Sequence, residues 1–508
     1  MTSFSRSAVA TLALAGIVGL SGCSAGSTSS QAHHISTSAK SVSLGLTAPP
    51  ASLDFTTVSG AAIPQALMGN VYEGLVRIQQ DGTIVPWLAQ SWTVSPDGKE
   101  YIFRLRDGVT FSNGDAFTAE TAKFSIDAVK SDAWTNGLKK QMAKVESTEA
   151  IDHHTLKVTL KARSNTWLWS MGTLVGAMMT PNGVSELATK PVGTGPYVVD
   201  KWAVGTSLSL AARPDYWGEQ TRNDRVVFRY FGDAIALTNA VRSGDIDAAI
   251  GLQNPELLES ITSRGDLKVH VGSTNGEVVL SMNNNRAPFN DVRVRQAVMY
   301  GVNRQDIINT TWEGYGTDTG GQPVPPTDPW YQEMNRYPYD LEKARELMRE
   351  AGAVGTPITI SVPSLPYANS ASEIVLSQLR DIGFDVRLES TEFPSVWLSK
   401  VYKAKDYDMS VVAHVEARDI PNLFGNPDYY LGFDDEQVRE LLAQADSGDA
   451  DSYVSTMKKV VNRIMDQAGA DTLFNLPNIV VTQPDVSGVP TNLVADGLVV
   501  SNISRSED

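Results

Sequence analysis

WTVSPDGKEYIFRLRDGV, residues 92–109, is the stretch of sequence from which the fold is inferred most directly. At its centre, Ser95-Pro96-Asp97-Gly98 has the composition of a tight turn, because proline fixes one φ angle and glycine tolerates a positive one. After the turn, Tyr101, Phe103 and Leu105 recur at every second position, which is typical of a strand with one buried face. The sequence therefore predicts a β-hairpin over these residues.

Similar patterns extend from the hairpin along the rest of the chain. Thr118 is a favourable N-cap, and the helix predicted after it covers 119–130. Further strands are predicted at 42–47, 155–161, 208–212, 358–362, 384–388 and 409–412. Further helices are predicted at 292–298, 341–352, 371–382, 437–445 and 454–465. Beyond residue 340, strands and helices alternate regularly, which predicts a largely parallel sheet covered by helices.

Six short motifs follow one another between Tyr72 and Phe124. They are Tyr72-Glu73-Gly74-Leu75, Pro86-x-Leu88-Ala89-x-x-Trp92, Ser95-x-Asp97-Gly98, Phe103-x-Leu105-Arg106-x-Gly108-Val109-x-Phe111, the polar turn Asn113-Gly114, and the helix after Thr118. Downstream, Gly193-Thr194-Gly195-Pro196-Tyr197 and Gly244-Asp245-x-Asp247 continue the series. The series resembles the extracellular solute-binding proteins of family 5, the dipeptide, oligopeptide and nickel-type receptors of ABC importers.

The resemblance implies an α/β protein with the two-lobe, type II periplasmic-binding-protein-like fold and a subdomain inserted in the first lobe. Lobe I would comprise 42–80, 190–283 and 478–508, with the inserted subdomain at 81–189, and lobe II would comprise 284–477. A ligand that contacts both lobes shifts an open–closed equilibrium toward the closed form. The partners implied are a small solute and the permease and ATPase of an importer.

The N-terminus predicts export and a lipid anchor. Residues 8–20 form an uncharged apolar run of about 13 residues, which is shorter than the roughly 20 that a spanning helix needs. With Arg6 before it, this run is typical of a signal peptide over 1–22. Cys23, the only cysteine, follows Ser21-Gly22 and resembles the lipidated cysteine of bacterial lipoproteins. We therefore expect a flexible tether over 23–41 and a protein anchored on the extracytoplasmic face of the cell membrane.

Composition limits the possible function classes. A net charge of −16 and a pI near 4.9 argue against binding to nucleic acid. The single cysteine excludes an intramolecular disulfide. The sequence has neither a Gly-x-Ser-x-Gly elbow nor a His-Glu-x-x-His motif, so an extracytoplasmic hydrolase is only a distant alternative. We predict a monomeric binding protein that has no cofactor and no bound structural metal.

The resemblance also implies where the ligand binds. In relatives that bind peptides, an acidic residue in a loop after a strand of the second lobe pairs with the peptide ammonium group. The corresponding loop here follows the strand at 409–412 and contains Glu416, Arg418 and Asp419. We expect Asp419 to pair with the ammonium group, with Glu416 as the second candidate. Arg418 either holds a ligand carboxylate or pairs with these acids.

Three further residues have two interpretations each. His414 stands where the family commonly has a tryptophan, and it is the one histidine near the expected cleft. Because imidazole is a favoured ligand of Ni(II), a nickel chelate is an alternative to a peptide, as are sugars and opines. Trp397 and Tyr72 are either aromatic residues of the cleft or ordinary core residues.

Overall fold

The computed structural model describes residues 40–263 and 265–506. The predicted signal peptide, Cys23 and most of the predicted tether lie outside the described residues, so the predictions made for them stay predictions. Within the described ranges, every helix is too short or too polar to cross a membrane.

The strands alternate with helices along most of the chain. The strands are β1 (Ser41–Leu46), β2 (Val76–Ile78), β3 (Ile84–Pro86), β4 (Ala89–Val94), β5 (Glu100–Leu105), β6 (Val145–Asp152), β7 (Thr155–Leu160), β8 (Tyr197–Ala203), β9 (Ser207–Ala212), β10 (Arg225–Tyr230), β11 (Ala248–Ile250), β12 (Lys268–Met282), β13 (Pro357–Pro363), β14 (Asp385–Thr391), β15 (Met409–His414), β16 (Asp471–Thr482), β17 (Val486–Ser487) and β18 (Ser504–Arg505). The α-helices are α1 (Ala62–Leu67), α2 (Ala119–Lys130), α3 (Trp167–Ser170), α4 (Ala234–Ser243), α5 (Leu258–Thr262), α6 (Val292–Gly301), α7 (Arg304–Trp312), α8 (Leu341–Glu350), α9 (Pro366–Asp381), α10 (Ser395–Trp397), α11 (Ile420–Leu423), α12 (Glu436–Ser447) and α13 (Tyr453–Asp466). Short 3₁₀ helices occur at Gly137–Lys144, Leu174–Gly176, Pro181–Gly183, Pro255–Leu257 and Ala450–Ser452, and a π-helical turn at Leu398–Lys403.

A ten-stranded sheet extends through both lobes, in the order β14-β13-β15-β12-β16-β11-β1-β10-β9-β8. Its two central strands, β12 and β16, are long and antiparallel, and their register shifts between Ser273 and Glu277. The predicted parallel arrangement is confirmed where β13 lies beside β14 and β15. Strands β12 and β16, for which no parallel pairing was predicted, run antiparallel to their neighbours as the chain crosses between the two halves of the sheet.

The predicted hairpin is confirmed. Strands β4 and β5 pair antiparallel within a separate four-stranded sheet of order β4-β5-β7-β6. Helix α2 begins after Thr118, whose Oγ1 accepts from the backbone N–H of Thr121 at 3.4 Å, while Thr121 Oγ1 accepts from the N–H of Thr118 at 2.9 Å. This reciprocal pair is a capping box, and it satisfies donors that the first helical turn leaves free.

One predicted helix has a different start. The prediction began at residue 371, but α9 begins at Pro366. Proline is well suited to the first helical position, because it has no N–H to leave unsatisfied there and its φ angle is already helical. The predicted stop is confirmed, since the chain turns at Gly383 with a φ of 110°.

Two of the motifs that resemble family 5, Tyr72-Glu73-Gly74-Leu75 and Gly193-Thr194-Gly195-Pro196-Tyr197, meet at one buried carboxyl group. Glu73 is fully buried and accepts hydrogen bonds from Thr194 Oγ1 at 2.8 Å, Tyr216 Oη at 2.7 Å and Trp217 Nε1 at 2.8 Å. Burial raises the pKa of Glu73 to about 7, although these three hydrogen bonds oppose the rise. Residues far apart in sequence thus satisfy one buried group, which gives Glu73 and Thr194 a structural role.

The two glycines around Thr194 allow this convergence. A Cβ atom on Gly193 would lie 1.9 Å from the carbonyl oxygen of Val71, and one on Gly195 would lie 2.4 Å from that of Asn70. Only glycine permits the backbones to approach so closely. The motif is thus a packing feature that brings the segment after Asn70 against the segment before β8.

Candidate functional site

The candidate site begins where β15 ends. Strand β15 pairs antiparallel with β12 so that His414 lies directly opposite Glu277. Residues directly opposite one another in such a pair project on the same face of the sheet, with Cβ atoms about 5 Å apart. On its other side, Glu277 lies opposite Asn475 of β16. Glu277 is therefore at the centre of three strands, in the region where β12 crosses between the two halves of the sheet.

Arg418 extends from the loop after β15 toward the segment at 81–189. Its backbone has a φ of 58°, in the left-handed region that residues other than glycine adopt rarely. Its guanidinium lies 3.4 Å from the ring centroid of Trp169 and 4.9 Å from that of Trp330. Nη2 also donates to the carbonyl oxygen of Gly82 at 3.4 Å. The strained backbone thus accompanies a cation held between two indole rings.

The nearest acid to Arg418 is Asp328. Arg418 Nε lies 3.6 Å from Asp328 Oδ1, and it has no hydrogen-bond partner among the described residues. Burial raises the pKa of Asp328 to about 6, although the charge of Arg418 opposes the rise. Of the two interpretations of Arg418, pairing with Glu416 or Asp419 is not seen, because its guanidinium lies beside Asp328 and the two tryptophans. The other interpretation, that Arg418 holds a ligand carboxylate, stays a prediction.

Asp419 is 9% exposed and begins the short helix α11. Its side chain forms no capping hydrogen bond, so the carboxyl group is not used to stabilise the helix. Its Oδ2 lies 3.8 Å from His414 Nδ1. Burial raises the pKa of Asp419 to about 8, and the negative charge of Glu416 adds to the rise. The carboxyl group of an aspartate in this position is available for a ligand. Pairing with a cationic ligand would offset the cost of burying its charge.

Glu277 is 2% exposed, and no described residue donates a hydrogen bond to its carboxyl group. Burial raises its pKa well above the usual value, and the charges of Asp419 and Asp328 add to the rise. We call Glu277, Asp328 and Asp419 the acidic cluster. Its three buried carboxyl groups face one buried cation, Arg418, so the site has an excess of acid that a positively charged ligand would compensate.

His414 does not supply that compensation. Its Nε2 is 2.9 Å from Tyr430 Oη, which is in turn 2.8 Å from Ser281 Oγ. The imidazole stacks on the ring of Tyr430, with centroids 5.8 Å apart. Burial lowers the pKa of His414 to about 4, so the ring is neutral at physiological pH. Only Nδ1 is left for a metal or ligand, and the described residues include no group of three metal-ligating side chains.

The remaining predicted site residues lie elsewhere. Glu416 is exposed to solvent. Trp397 is 4% exposed, donates from Nε1 to Ser410 Oγ at 3.0 Å and packs within the core of the second half of the chain. Tyr72 is fully buried, with its ring centroid 5.0 Å from that of Phe55. For Trp397 and Tyr72, the structure supports the core interpretation, because their rings are enclosed by protein.

Sequence reasoning missed Glu277, Asp328, Trp169 and Trp330. One signal for Glu277 is present, since it is the only charged residue in the otherwise uncharged run from Val269 to Met282 apart from His270. Asp328 and Trp330 lie in the proline-rich loop 323–330, which has no strand or helix pattern. Their contact with Arg418 depends on tertiary structure, so no local pattern could have identified them.

A second polar contact joins the same parts of the chain. Asp446, near the end of α12, accepts from Lys144 Nζ at 2.7 Å, Ser164 Oγ at 2.8 Å and Thr166 Oγ1 at 2.8 Å. The backbone N–H of Thr166 donates to it as well, at 3.1 Å. Burial acts to raise the pKa of Asp446, but these hydrogen bonds and the charge of Lys144 outweigh it and the pKa is lowered. We call Asp446 with these three residues the Asp446 contact.

Comparison with known proteins agrees with this architecture. Residues 83–431 match the family described as bacterial extracellular solute-binding proteins, family 5 Middle. The nickel-binding periplasmic protein of Escherichia coli (strain K12) is 26% identical over 471 residues, which are 83% of this chain and 86% of that protein. The glutathione-binding protein GsiB of the same strain is 30% identical over 312 residues, 59% of this chain and 60% of that protein.

A solved structure extends the likeness to the whole fold. The periplasmic binding protein DppA from Helicobacter pylori, in complex with the peptide STSA, superimposes with a TM-score of 0.75 at 25% identity. The likeness covers 92% of this chain and 98% of that one. The two-lobe fold predicted from the motifs is thus confirmed.

Proposed function

The chain belongs to the bacterial extracellular solute-binding proteins of family 5, and we propose that the solute it binds is a short peptide. As a member of that family it is a solute-binding protein of an ABC importer, it works outside the cytoplasm, and it is not an enzyme. A peptide fits the candidate site because it brings a free ammonium group, which a sugar lacks. The peptide-bound relative from Helicobacter pylori supports the same choice.

The observation on which the proposal depends is the excess of acid at Asp419. Its carboxyl group is buried, is not used as a helix cap and lies 3.8 Å from a neutral imidazole. An ionised carboxylate in such a place costs several kcal/mol unless a cation pairs with it. The α-ammonium group of a peptide pairs with Asp419, while Arg418, between Trp169 and Trp330, stays with Asp328.

A blocked amino terminus tests this proposal. Native mass spectrometry of the purified protein first identifies ligands that copurify with it. Isothermal titration calorimetry then compares a dipeptide with its N-acetylated form, which has the same shape near the carboxyl end but no ammonium group. We expect N-acetylation to weaken binding at least tenfold, about 1.4 kcal/mol. Equal affinity for the two forms, or binding of a histidine chelate of Ni(II) with no binding of peptides, would overturn the proposal.

A nickel chelate is the second candidate. The 26% identical nickel-binding relative favours it, as does the placement of His414 Nδ1 beside Asp419. A chelated metal needs fewer protein ligands than a free ion, since its chelator supplies the others. The same calorimetry includes this ligand, so the two candidates are compared on one sample.

The proposed lobe boundaries, 42–80 with 190–283 and 478–508 against 284–477, are supported by the strand order. Strands β11, β1, β10, β9 and β8 lie on one side of the β12–β16 pair, and β15, β13 and β14 lie on the other. The register shift between Ser273 and Glu277 in this pair supports a crossover there. Small-angle scattering with and without peptide tests closure between the lobes. An unchanged profile at saturating peptide would contradict it.

The lipid anchor at Cys23 and the monomeric state complete the proposal. A diacylated cysteine supplies two chains, whereas a single chain gives only marginal membrane binding. Mass spectrometry of the membrane-extracted protein should find residue 23 as the modified amino terminus, and Cys23→Ser should release the protein from the membrane fraction. An unmodified Cys23 on a cleaved, released protein would exclude the anchor. Light scattering of the released Cys23→Ser variant measures its molecular mass and so tests whether the protein is a monomer.

A further inference from the structure

Glu277 differs from the buried Glu73 because its carboxyl group has no hydrogen-bond donor among the described residues. Glu73, equally buried, accepts hydrogen bonds from three side chains. The residues that follow Glu277, Val278 and Val279, are at most 1% exposed, and the carboxyl group of Glu277 receives no hydrogen bond from a described residue. A carboxyl group kept for stability alone would be satisfied by its surroundings. Its isolation indicates that something outside the chain satisfies it.

Asn475, opposite Glu277 in the sheet, has an unsatisfied acceptor of its own. Its Nδ2 donates to the carbonyl oxygens of Thr274 at 3.1 Å and Gly276 at 2.7 Å, which fixes the orientation of the amide. Its Oδ1 is buried and has no partner among the described residues. Glu277 and Asn475 thus offer two acceptors side by side, and an ammonium group has three donors to give them.

Two carboxyl groups of this site lack a cationic partner among the described residues. Arg418 lies beside Asp328, and the neutral His414 contributes no charge. Asp419 and Glu277 are then left to the ligand. A ligand with a single cation would pair with one of them, and the other would stay protonated and without a donor, whereas a second cation would allow it to form an ion pair.

We infer that the ligand brings a second cationic group to Glu277, so that the preferred peptides have a basic first residue such as lysine. This inference rests on the peptide-binding function proposed above. Glu277 and Asp419 both neighbour His414, since Glu277 is its cross-strand partner and Asp419 Oδ2 is 3.8 Å from its Nδ1. A lysine at the first position has two ammonium groups joined by a flexible four-carbon stem. Its α-ammonium group pairs with Asp419, and its ε-ammonium group pairs with Glu277 and Asn475.

The test compares lysyl-alanine with norleucyl-alanine, which has nearly the same length and shape but lacks the second charge. Calorimetry at pH 7 on the wild-type protein should show lysyl-alanine binding at least tenfold more tightly. In Glu277→Gln the ratio should fall to about twofold, because an amide replaces the carboxylate at nearly constant volume. Glu120→Gln, an exposed acid in the first turn of α2, is the matched control and should keep the wild-type preference.

The possible outcomes separate the two proposals. Equal binding of both dipeptides by the wild-type protein overturns the inference and leaves peptide binding intact. Binding of neither dipeptide overturns peptide binding itself. A preference that survives Glu277→Gln shows that another group receives the second cation, and the inference is then wrong. A thermal melt shows whether Glu277→Gln folds. If it does not fold, the ratio of the two dipeptide affinities in the wild-type protein still decides whether a second cation is preferred. A simple diamine that binds as tightly as lysyl-alanine would show that the peptide part is unnecessary.

Discussion

The Asp446 contact and the acidic cluster both lie where the segment 81–189 meets the second half of the chain, yet they differ in how their charges are satisfied. Asp446 accepts four hydrogen bonds and pairs with Lys144, so its carboxylate is fully compensated. The acidic cluster has three buried carboxyl groups, one nearby guanidinium and several acceptors without donors. The charge of Asp446 is compensated by residues of the chain, whereas the carboxyl groups of the acidic cluster are not all compensated.

We interpret the Asp446 contact as structural and the acidic cluster as the proposed binding site. A polar group satisfied by its own chain stabilises the arrangement of the lobes whatever ligand is present. An unsatisfied group destabilises the empty protein; protonation reduces this cost, and a ligand that brings the missing charge removes it. Mutations in the Asp446 contact should therefore change the affinity for all ligands equally. Mutations in the acidic cluster should change the preference between ligands.

The largest expected effect is that of Asp419→Asn. We expect this change to weaken peptide binding about a hundredfold, roughly 2.7 kcal/mol, because the peptide ammonium group would be buried without a carboxylate. The melting temperature of the empty protein should not fall, since Asp419 makes no capping bond. Calorimetry and a thermal melt measure the two quantities. Glu416→Gln is the control, and an equal loss in that variant would show that the whole loop matters rather than Asp419.

Asp446→Ala should have a smaller and less selective effect. Losing the four hydrogen bonds of the Asp446 contact disfavours the arrangement in which the lobes touch, so we expect every ligand to bind about tenfold more weakly. The ratio between lysyl-alanine and norleucyl-alanine should not change. Asp449→Ala is the control, because the side chain of Asp449 is 88% exposed and its pair with Arg163 contributes little. A changed ratio in Asp446→Ala would show that the Asp446 contact also discriminates between ligands, and its interpretation as a purely structural contact would then be wrong.

Local patterns predicted the elements of this fold well. Thr118 and the helix after it, the hairpin around Ser95-Pro96-Asp97-Gly98 and the strand that ends at His414 depend on short-range signals, namely capping, turn composition and alternation. The start of α9 at Pro366 was missed, because the residues after this proline lack a clear apolar period. The family motifs predicted the two-lobe fold.

The site was predicted only in part, for a physical reason. Asp419 could be singled out because the resemblance implies an acid in that loop, but its partners come from distant strands and loops. Glu277 lies 142 residues before Asp419 in the chain, and only the pairing of β12 with β15 brings it near. Arg418 was expected to face acids of its own loop, whereas its left-handed backbone directs it to Trp169 and Asp328.

The protonation of Asp419 offers a third test. Its pKa is raised to about 8 in the empty protein by burial and by the charge of Glu416, with Asp328 adding to the rise, so the carboxyl group is mostly protonated at pH 7. Pairing with an ammonium group requires the ionised form, so binding should release a proton and affinity should increase as pH rises from 6 toward 8, by less than tenfold per pH unit. Above pH 8 the peptide amino group loses its own proton and affinity should fall again.

Calorimetry in two buffers of different ionisation enthalpy measures this proton release. Glu277, Asp328 and His414 also face Asp419, so the release in the wild-type protein is a property of the group as a whole. Asp419→Asn should reduce it by up to one proton. Asp446→Ala should release the same number of protons on binding as the wild-type protein, because Asp446 is already ionised. No release from the wild-type protein at pH 7 would contradict a protonated Asp419.

The smallest effect is expected for Arg418→Lys, and it tests the residue that belongs to both regions. Arg418 touches Trp169 and Gly82 as a bridge between lobes, and it lies beside Asp328 in the acidic cluster. Lysine keeps the charge but loses the planar stacking, so we expect about a fivefold loss of affinity, near 1 kcal/mol. Arg77→Lys is the control, because Arg77 is exposed and its guanidinium lies 5.4 Å from the ring centroid of Trp87. If Arg418 only bridges the lobes, a dipeptide and its C-terminal amide lose affinity equally in Arg418→Lys. If Arg418 instead holds the ligand carboxylate, the loss is confined to the free acid, and the bridge assigned to Arg418 is then part of the binding site.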